Sequence, residues 1–418
     1  MKFFILQVDS VLPIENCWHV NRNYKRMIKN IEEVSCAFLH EVDLLCFSHL
    51  RWGFVFQRPN HLLSRFSKHQ RVFFIEEPIF HDGEDKLHIE NYNENLYVVT
   101  PHLRHRKNGA DVISQQKAFI SSLLRQMQVK RYFSWYYTPM ALPFTDHLSP
   151  ELVIYDCMDE LAAFKFAPPE LTKLEKDLFT KADVVFTGGH SIYESKKNAH
   201  HNIYAFPSSI DKLHFGRARK IRKDPEDQKA IPHPRFGFFG VIDERFDIAL
   251  IDEVAKQKPD WQFVFLGPVV KIDPATLPSH ANVHYLGGKK YEELPNYIAG
   301  WDVALIPFAI NESTRFISPT KTPEYLAAGK PVISTPIRDV VSPYGNNKLV
   351  HIVNNSAEFI AAAEAELSKK RRSAWMRKVD TFLEGTSWDR TWSQMVRNIE
   401  AALPQNTTIK AAEGGVYV

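Results

Sequence analysis

SPTKTPEYLAAGKPVIST, residues 318–335, joins a helix-forming run to a strand-forming one. Thr322 is placed to cap a helix whose first residue is Pro323, where proline's missing N–H costs nothing, and Gly329 to end it in a left-handed conformation. PVIST (331–335) then reads as a buried strand. The start of such a helix carries partial positive charge and unpaired N–H groups, so it attracts an anion, and Lys321 adds a full charge beside it. A diphosphate suits Pro319, Thr320 and Lys321. Glu324, in the first turn, either accepts two hydrogen bonds from a vicinal diol such as a ribose or merely offsets the helix dipole.

Outward from this stretch the same alternation continues. DVALIPF (302–308) precedes it, and RFGFFG (235–240), WQFVFLG (261–267), NVHYLGG (282–288) and KLVHIVN (348–354) complete a set of short β-branched and aromatic runs separated by helical lengths. The first half repeats the pattern with DLLCFSH (43–49), RVFFIEE (71–77), NLYVVTP (95–101), RYFSWYY (131–137), LVIYDCM (152–158) and DVVFTGG (183–189). Buried parallel strands look like this. RARKIRKDPEDQKAIPHP (217–234), charged and without apolar periodicity, reads as a linker. The expected architecture is α/β, with two doubly wound Rossmann-like domains facing across a cleft. Residues 1–215 form the first, 216–234 the linker and 235–385 the second. A helix over 386–404, with Trp388, Trp392, Met395 and Ile399 on one stripe, is expected to cross back to the first domain, leaving a tail at 405–418. Ligands in such folds sit beyond the carboxyl ends of the strands, so the cleft is the expected site.

Composition excludes several classes. With 418 residues and 44% of them apolar, the chain can bury two cores. Its net charge of +3, from 52 basic and 49 acidic residues, gives no general attraction to nucleic acid. Cys17, Cys36, Cys46 and Cys157 are widely spaced, contain no CxxC pair and read as reduced core thiols. MKFFILQVD (1–9) is too short an apolar run for a signal peptide, and no run of about 18 apolar residues occurs, so the expected location is cytoplasmic. No phosphate-binding glycine loop, HExxH, GxSxG or Asp-x-Asp motif appears, and no metal site is expected.

The run Glu324-Tyr325-Leu326-Ala327-Ala328-Gly329-Lys330-Pro331-Val332 resembles the EAMAxGxPV segment of family-4 glycosyltransferases, retaining enzymes of the GT-B fold, and Pro319-x-Lys321-x-x-Glu324-Tyr325 is similar to its P-x-K-x-x-E-Y variant. The family's first glutamate, eight residues before the second, falls at Phe316, with Glu312 and Arg315 as nearby substitutes. FGFFGVIDERFD (236–247) resembles the first strand and loop of the donor domain, where Gly240 and Arg245 would face phosphates. The resemblance implies that Glu324 binds the donor ribose. It also implies a hexosyltransferase-type enzyme that needs no metal or cofactor and moves a sugar from a UDP- or GDP-linked donor to a glycan or lipid-linked acceptor. Such an enzyme serves cell-surface polysaccharide or glycoconjugate synthesis. A nucleotide-sugar epimerase of similar fold and a catalytically silent glycan-binding or scaffold protein remain as alternatives.

On the acceptor side, Arg51, Trp52, Gln57 and Arg58 cluster in HLRWGFVFQRPNHLLSRF (49–66), where an aromatic face and planar donors suit sugar or phosphate recognition. Trp52 and Phe56 also have the spacing of core residues. YDCMDE (155–160) ends a strand with two aspartates three residues apart, Asp156 and Asp159. The resemblance implies that Asp156 or Asp159 stands near the acceptor hydroxyl, as a base or hydrogen-bond partner; for Asp159, capping the next helix is the other role. Arg245 and Lys321 would stabilise the departing diphosphate. The locally basic HLRHRKNGADVISQQKAF (102–119) is either a solvated surface or a contact for an anionic membrane at its inner face.

Overall fold

The computed structural model describes residues 36–105 and 109–404. MKFFILQVD, Cys17, residues 106–108 of the basic segment and the tail after 404 lie outside the described residues.

Two sheets carry the chain. The first has nine strands: β1 (Asp43–Phe47), β2 (Val72–Ile75), β3 (Ile79–His81), β4 (Lys86–Asn93), β5 (Leu96–Arg104), β6 (Tyr132–Tyr136), β7 (Leu152–Cys157), β8 (Val184–Thr187) and β9 (Ile203–Ala205). Their order is β3-β5-β2-β1-β6-β7-β8-β9, parallel throughout, with β4 added antiparallel on β5. The second has six: β10 (Arg235–Phe239), β11 (Gln262–Leu266), β12 (Val283–Tyr285), β13 (Val303–Ile306), β14 (Val332–Ser334) and β15 (His351–Ile352), all parallel, in the order β12-β11-β10-β13-β14-β15. Central strands such as β1, β6, β10 and β11 are buried at every position, because helices cover both faces, which is why they read as unbroken apolar runs. The expected α/β architecture with two doubly wound sheets is realised.

Each sheet reverses its strand order once, between β1 and β6 and between β10 and β13. Loops leaving the two strands at such a point go to opposite faces, and a crevice opens between them. Both crevices matter below.

Residues 217–234 pack on the second lobe: Ala218, Gln228 and Ile231 are buried, and Gln228 bridges the Tyr297 carbonyl and Trp301 Nε1 at 3.0 Å each. The helix Trp388–Ala402 does cross back to the first lobe. It stacks Trp388 on His61 and Trp392 on His69, with ring centroids 4.6 and 5.0 Å apart, both against or just beyond the helix Arg58–Phe66. The lobes also touch directly. Asp339 of the second lobe accepts hydrogen bonds from the N–H groups of His190 and Ser191 and from the Ser191 hydroxyl, Ser208 Oγ donates to the Ser318 carbonyl at 2.8 Å, and Phe56 stacks on Tyr291 at 4.2 Å. Cys46 and Cys157 are buried thiols. Among the described residues no helix is long and apolar enough to cross a membrane, and no cluster of metal-ligating side chains occurs.

Candidate active site

At the crevice of the second sheet, Gly240 leaves β10 and the helix Lys321–Ala327 follows β13. Gly240 has φ +135°, and a Cβ there would lie 2.4 Å from Lys321 Cε and 2.9 Å from Nζ. Only glycine lets the lysine lie against this turn. The Lys321 ammonium also sits 5.8 and 5.7 Å from the ring centres of Phe238 and Phe239.

The helix begins earlier than its sequence suggests. Lys321 is its first residue and Thr320 flanks it at φ −56°, ψ −30° with no side-chain cap, whereas Thr322 and Pro323 had been expected as cap and first residue. Proline is tolerated throughout the first turn, whose N–H groups have no intrahelical acceptor, so Pro323 does not mark the start. Gly329, at φ +79°, ends the helix as expected.

Glu324 is 5% exposed, and its Oε2 is buried without a hydrogen-bond partner, as is Thr322 Oγ1. Burial pushes its pKa up to about 8, against the pull of Lys321 and a hydrogen bond from Thr320, with the Asp211 charge adding to the rise. Burial likewise lowers Lys321, opposed by Glu324. An unpaired buried carboxylate oxygen is costly, and it fits a site that a donor group completes.

Arg245 lies on the loop after β10, with Nε and Nη2 donating to Asp243 at 2.9 and 2.6 Å. Its guanidinium lies over Phe164 of the first lobe, 5.4 Å from the ring centre, and the Asp159 charge reaches it. Asp159 itself is half-buried at the end of β7; burial raises its pKa, opposed by Arg245 and Arg58. The structure thus brings Gly240, Arg245, Lys321 and Glu324 together with Thr320, while Pro319 lies beside Ser318 at the lobe contact and Asp159 faces Arg245 from the other lobe.

The acceptor-side roles expected of Asp156, Arg58 and Trp52 are corrected; Gln57 and Arg51 make local contacts that leave their side chains part-exposed. Asp156 and Arg58 pair with each other: Arg58 Nε and Nη2 donate to the Asp156 carboxylate at 2.9–3.2 Å, Nη1 donates to the Phe206 carbonyl at 2.7 Å, and the residues are 0% and 3% exposed. Neither can reach an acceptor. Trp52 is buried against Phe74 and Tyr92, so its core role wins. Gln57 serves the helix Arg58–Phe66, its N–H donating to Asn60 at 2.9 Å. Arg51 holds the 76–78 turn through the Glu76 carboxylate at 2.9 Å and the Glu77 carbonyl at 2.6 Å. Phe316, where the resemblance would put a glutamate, packs against the first lobe's core, and the exposed Arg315 covers its ring.

Sequence reasoning missed three residues. Glu244, beside Arg245, has both carboxylate oxygens buried and unpaired. Lys271 lies 5.5 Å from the Phe164 ring centre, and His49 closes the run DLLCFSH with a buried, unpaired Nδ1. The signal for His49 was its place at a strand end, but which strand end borders a crevice depends on strand order.

Residues 233–369, the segment carrying Gly240, Arg245, Lys321 and Glu324, match the family model described as Glycosyl transferases group 1. A Bacillus subtilis (strain 168) protein, TuaH, named for a glycosyltransferase role in teichuronic acid biosynthesis, is 26% identical over 284 residues, 63% of this chain and 66% of that protein. The match thus spans just under two thirds of that relative's length. Among solved structures, sucrose-phosphate synthase from Thermosynechococcus elongatus superposes with a TM-score of 0.61 at 13% identity, over 87% of this chain and 96% of that one. A UDP-forming trehalose-phosphate synthase from Burkholderia xenovorans (TM-score 0.60, 11% identity) and an E. coli trehalose-6-phosphate structure bound with UDP-2-fluoro glucose (0.60, 10%) each match over 87% of this chain and 99% of theirs. The fold is the GT-B fold, and within it residues 233–369 are similar to the group 1 glycosyl transferases.

Proposed function

We propose that the protein transfers a sugar from a nucleoside diphosphate donor to a hydroxyl of a glycan or lipid-linked acceptor, with retention, in cell-surface polysaccharide or glycoconjugate synthesis. The observation that carries this is the buried, unpaired Glu324 Oε2 beside Lys321, at the crevice where Gly240 lets the ammonium close on the strand end. A ribose diol would donate to Glu324 and draw it into its charged form, while the diphosphate would lie between Lys321 and Arg245. As the anomeric C–O bond lengthens, negative charge grows on the departing phosphate, and two fixed cations stabilise it. Asp159, whose charge reaches Arg245, would accept a hydrogen bond from the acceptor.

UDP is the favoured nucleotide, supported by the UDP-forming and UDP-2-fluoro glucose-bound neighbours of the same fold. Peripheral contact with an anionic membrane belongs to the same proposal; exposed Lys86, His88 and Arg104 on the outer strands of the first sheet support it. The epimerase and silent-scaffold readings gain nothing comparable, since the matching family model is one of transferases. Calorimetry with UDP and GDP tests the reading: the wild type should bind at least one, and Glu324→Ala should weaken that binding at least tenfold. A wild type that binds neither overturns it.

A further inference from the structure

The first sheet has its own reversal, between β1 and β6. His49 follows β1 and Tyr137 follows β6, the Tyr137 N–H donating to the Phe47 carbonyl at 2.9 Å. The His49 ring in turn meets the Tyr137 carbonyl, and its Nδ1 is buried with no partner. In the neutral tautomer protonated at Nε2, Nδ1 is a bare acceptor. A buried acceptor without a donor has lost the hydrogen bond it would make in water. Lys271 of the second lobe acts on both His49 and Glu77, and its ammonium shares the Phe164 ring with Arg245. The unpaired nitrogen therefore belongs to the crevice that the donor-side cations border.

We propose that His49 Nδ1 accepts the hydrogen bond of the acceptor's attacking hydroxyl and orients it toward the donor sugar. The inference rests on the transferase reading above and names the acceptor group as an uncharged sugar hydroxyl. Burial, with the Lys271 charge, pushes His49 down to about 4, and the Tyr137 carbonyl pulls the other way without prevailing. The ring is neutral near pH 7 and too weak a base to take the hydroxyl's proton. It positions the nucleophile instead. As the new C–O bond forms and the anomeric C–O bond to phosphate breaks, the hydroxyl's proton, made acidic by bond formation, leaves its hydrogen bond to Nδ1 and passes to the departing phosphate oxygen.

The test uses the full chain, with UDP as the nucleotide probe and octyl β-D-glucoside as the acceptor probe. UDP affinity is measured first, then binding of the glucoside to the UDP-saturated protein. His49→Ala should leave the UDP dissociation constant within about twofold and weaken the glucoside at least tenfold. His49→Asn, whose amide oxygen falls near the place of Nδ1, should restore it to within about threefold. Unchanged glucoside binding in His49→Ala overturns the proposal, as does failure of the Asn variant to restore it. A wild type that does not bind UDP is a failure of the transferase reading, which the first measurement separates.

Discussion

Lys321 and Glu324 stand three residues apart on one short helix, both withdrawn from water, and each holds the other nearer its charged form. If Lys321 stabilises the leaving diphosphate, Lys321→Ala should lower turnover by roughly a hundredfold, with a far-ultraviolet spectrum like that of the wild type. Equal turnover in a stable variant would exclude this role. Glu324 makes a prediction about pH. Its folded pKa, about 8, lies above its ordinary value of 4.5. Below pH 4.5 both folded and unfolded chains hold the proton and the residue costs nothing. As pH rises from there through 8, the folded chain retains a proton that the unfolded chain has released, and stability is lost. Glu324→Gln removes the titration, so its melting temperature should gain on the wild type by roughly 3–5 °C between pH 5 and pH 8. Calorimetric melting at the two values checks this; parallel curves would mean that Glu324 is not buried in the free protein.

Elements were more legible than side-chain partners. All twelve runs read as strands are strands, because a strand covered on both faces must be apolar throughout and that pattern is local. The outer strands β3, β4 and β9 escaped notice. β4, KLHIENYN, is mostly exposed and interleaves polar residues, and β9 is three residues long. At the crevice of the second sheet, the grouping of Gly240, Lys321 and Glu324 was legible because they lie in two short segments, one at a strand end and one in the first turn of a helix. Arg58 was misread for the opposite reason: its partner Asp156 is 98 residues away, on β7. Nothing near Arg58 announces a carboxylate across the sheet. That pair ties the helix Arg58–Phe66 to β7, and breaking a buried ion pair strands a charge. Arg58→Ala should cost about 3–5 kcal/mol in chemical denaturation, a loss too large for a residue that only contacts substrate.

At the scale of the molecule, buried histidines hold the lobes together. His61 lies between Trp388 and the Phe56–Tyr291 pair, and His214 stacks on Tyr291 at 4.1 Å. Burial pushes His61 well down and His214 to about 4, each helped by neighbouring positive charge, with Asp211 opposing at His214. The unfolded chain takes up these protons near pH 6.5 while the folded chain cannot, so stability is present above that value and is lost as pH falls toward 4. Glu324 acts in the opposite direction over the same range, so the histidine effect is read against a variant: His61→Gln should gain on the wild type by roughly 2–4 °C in melting temperature from pH 7 to pH 5, and parallel curves would remove His61 from the account. The crossing helix Trp388–Ala402 has a consequence for synthesis. It supplies the aromatic cover over His61, Phe66 and His69, so an N-terminal half leaving the ribosome keeps that strip bare until residues 388–402 emerge. The first lobe is thus completed only after the second has been made, and a chain stopped at residue 385 should be captured by chaperones or precipitate, although every strand of both sheets is present in it.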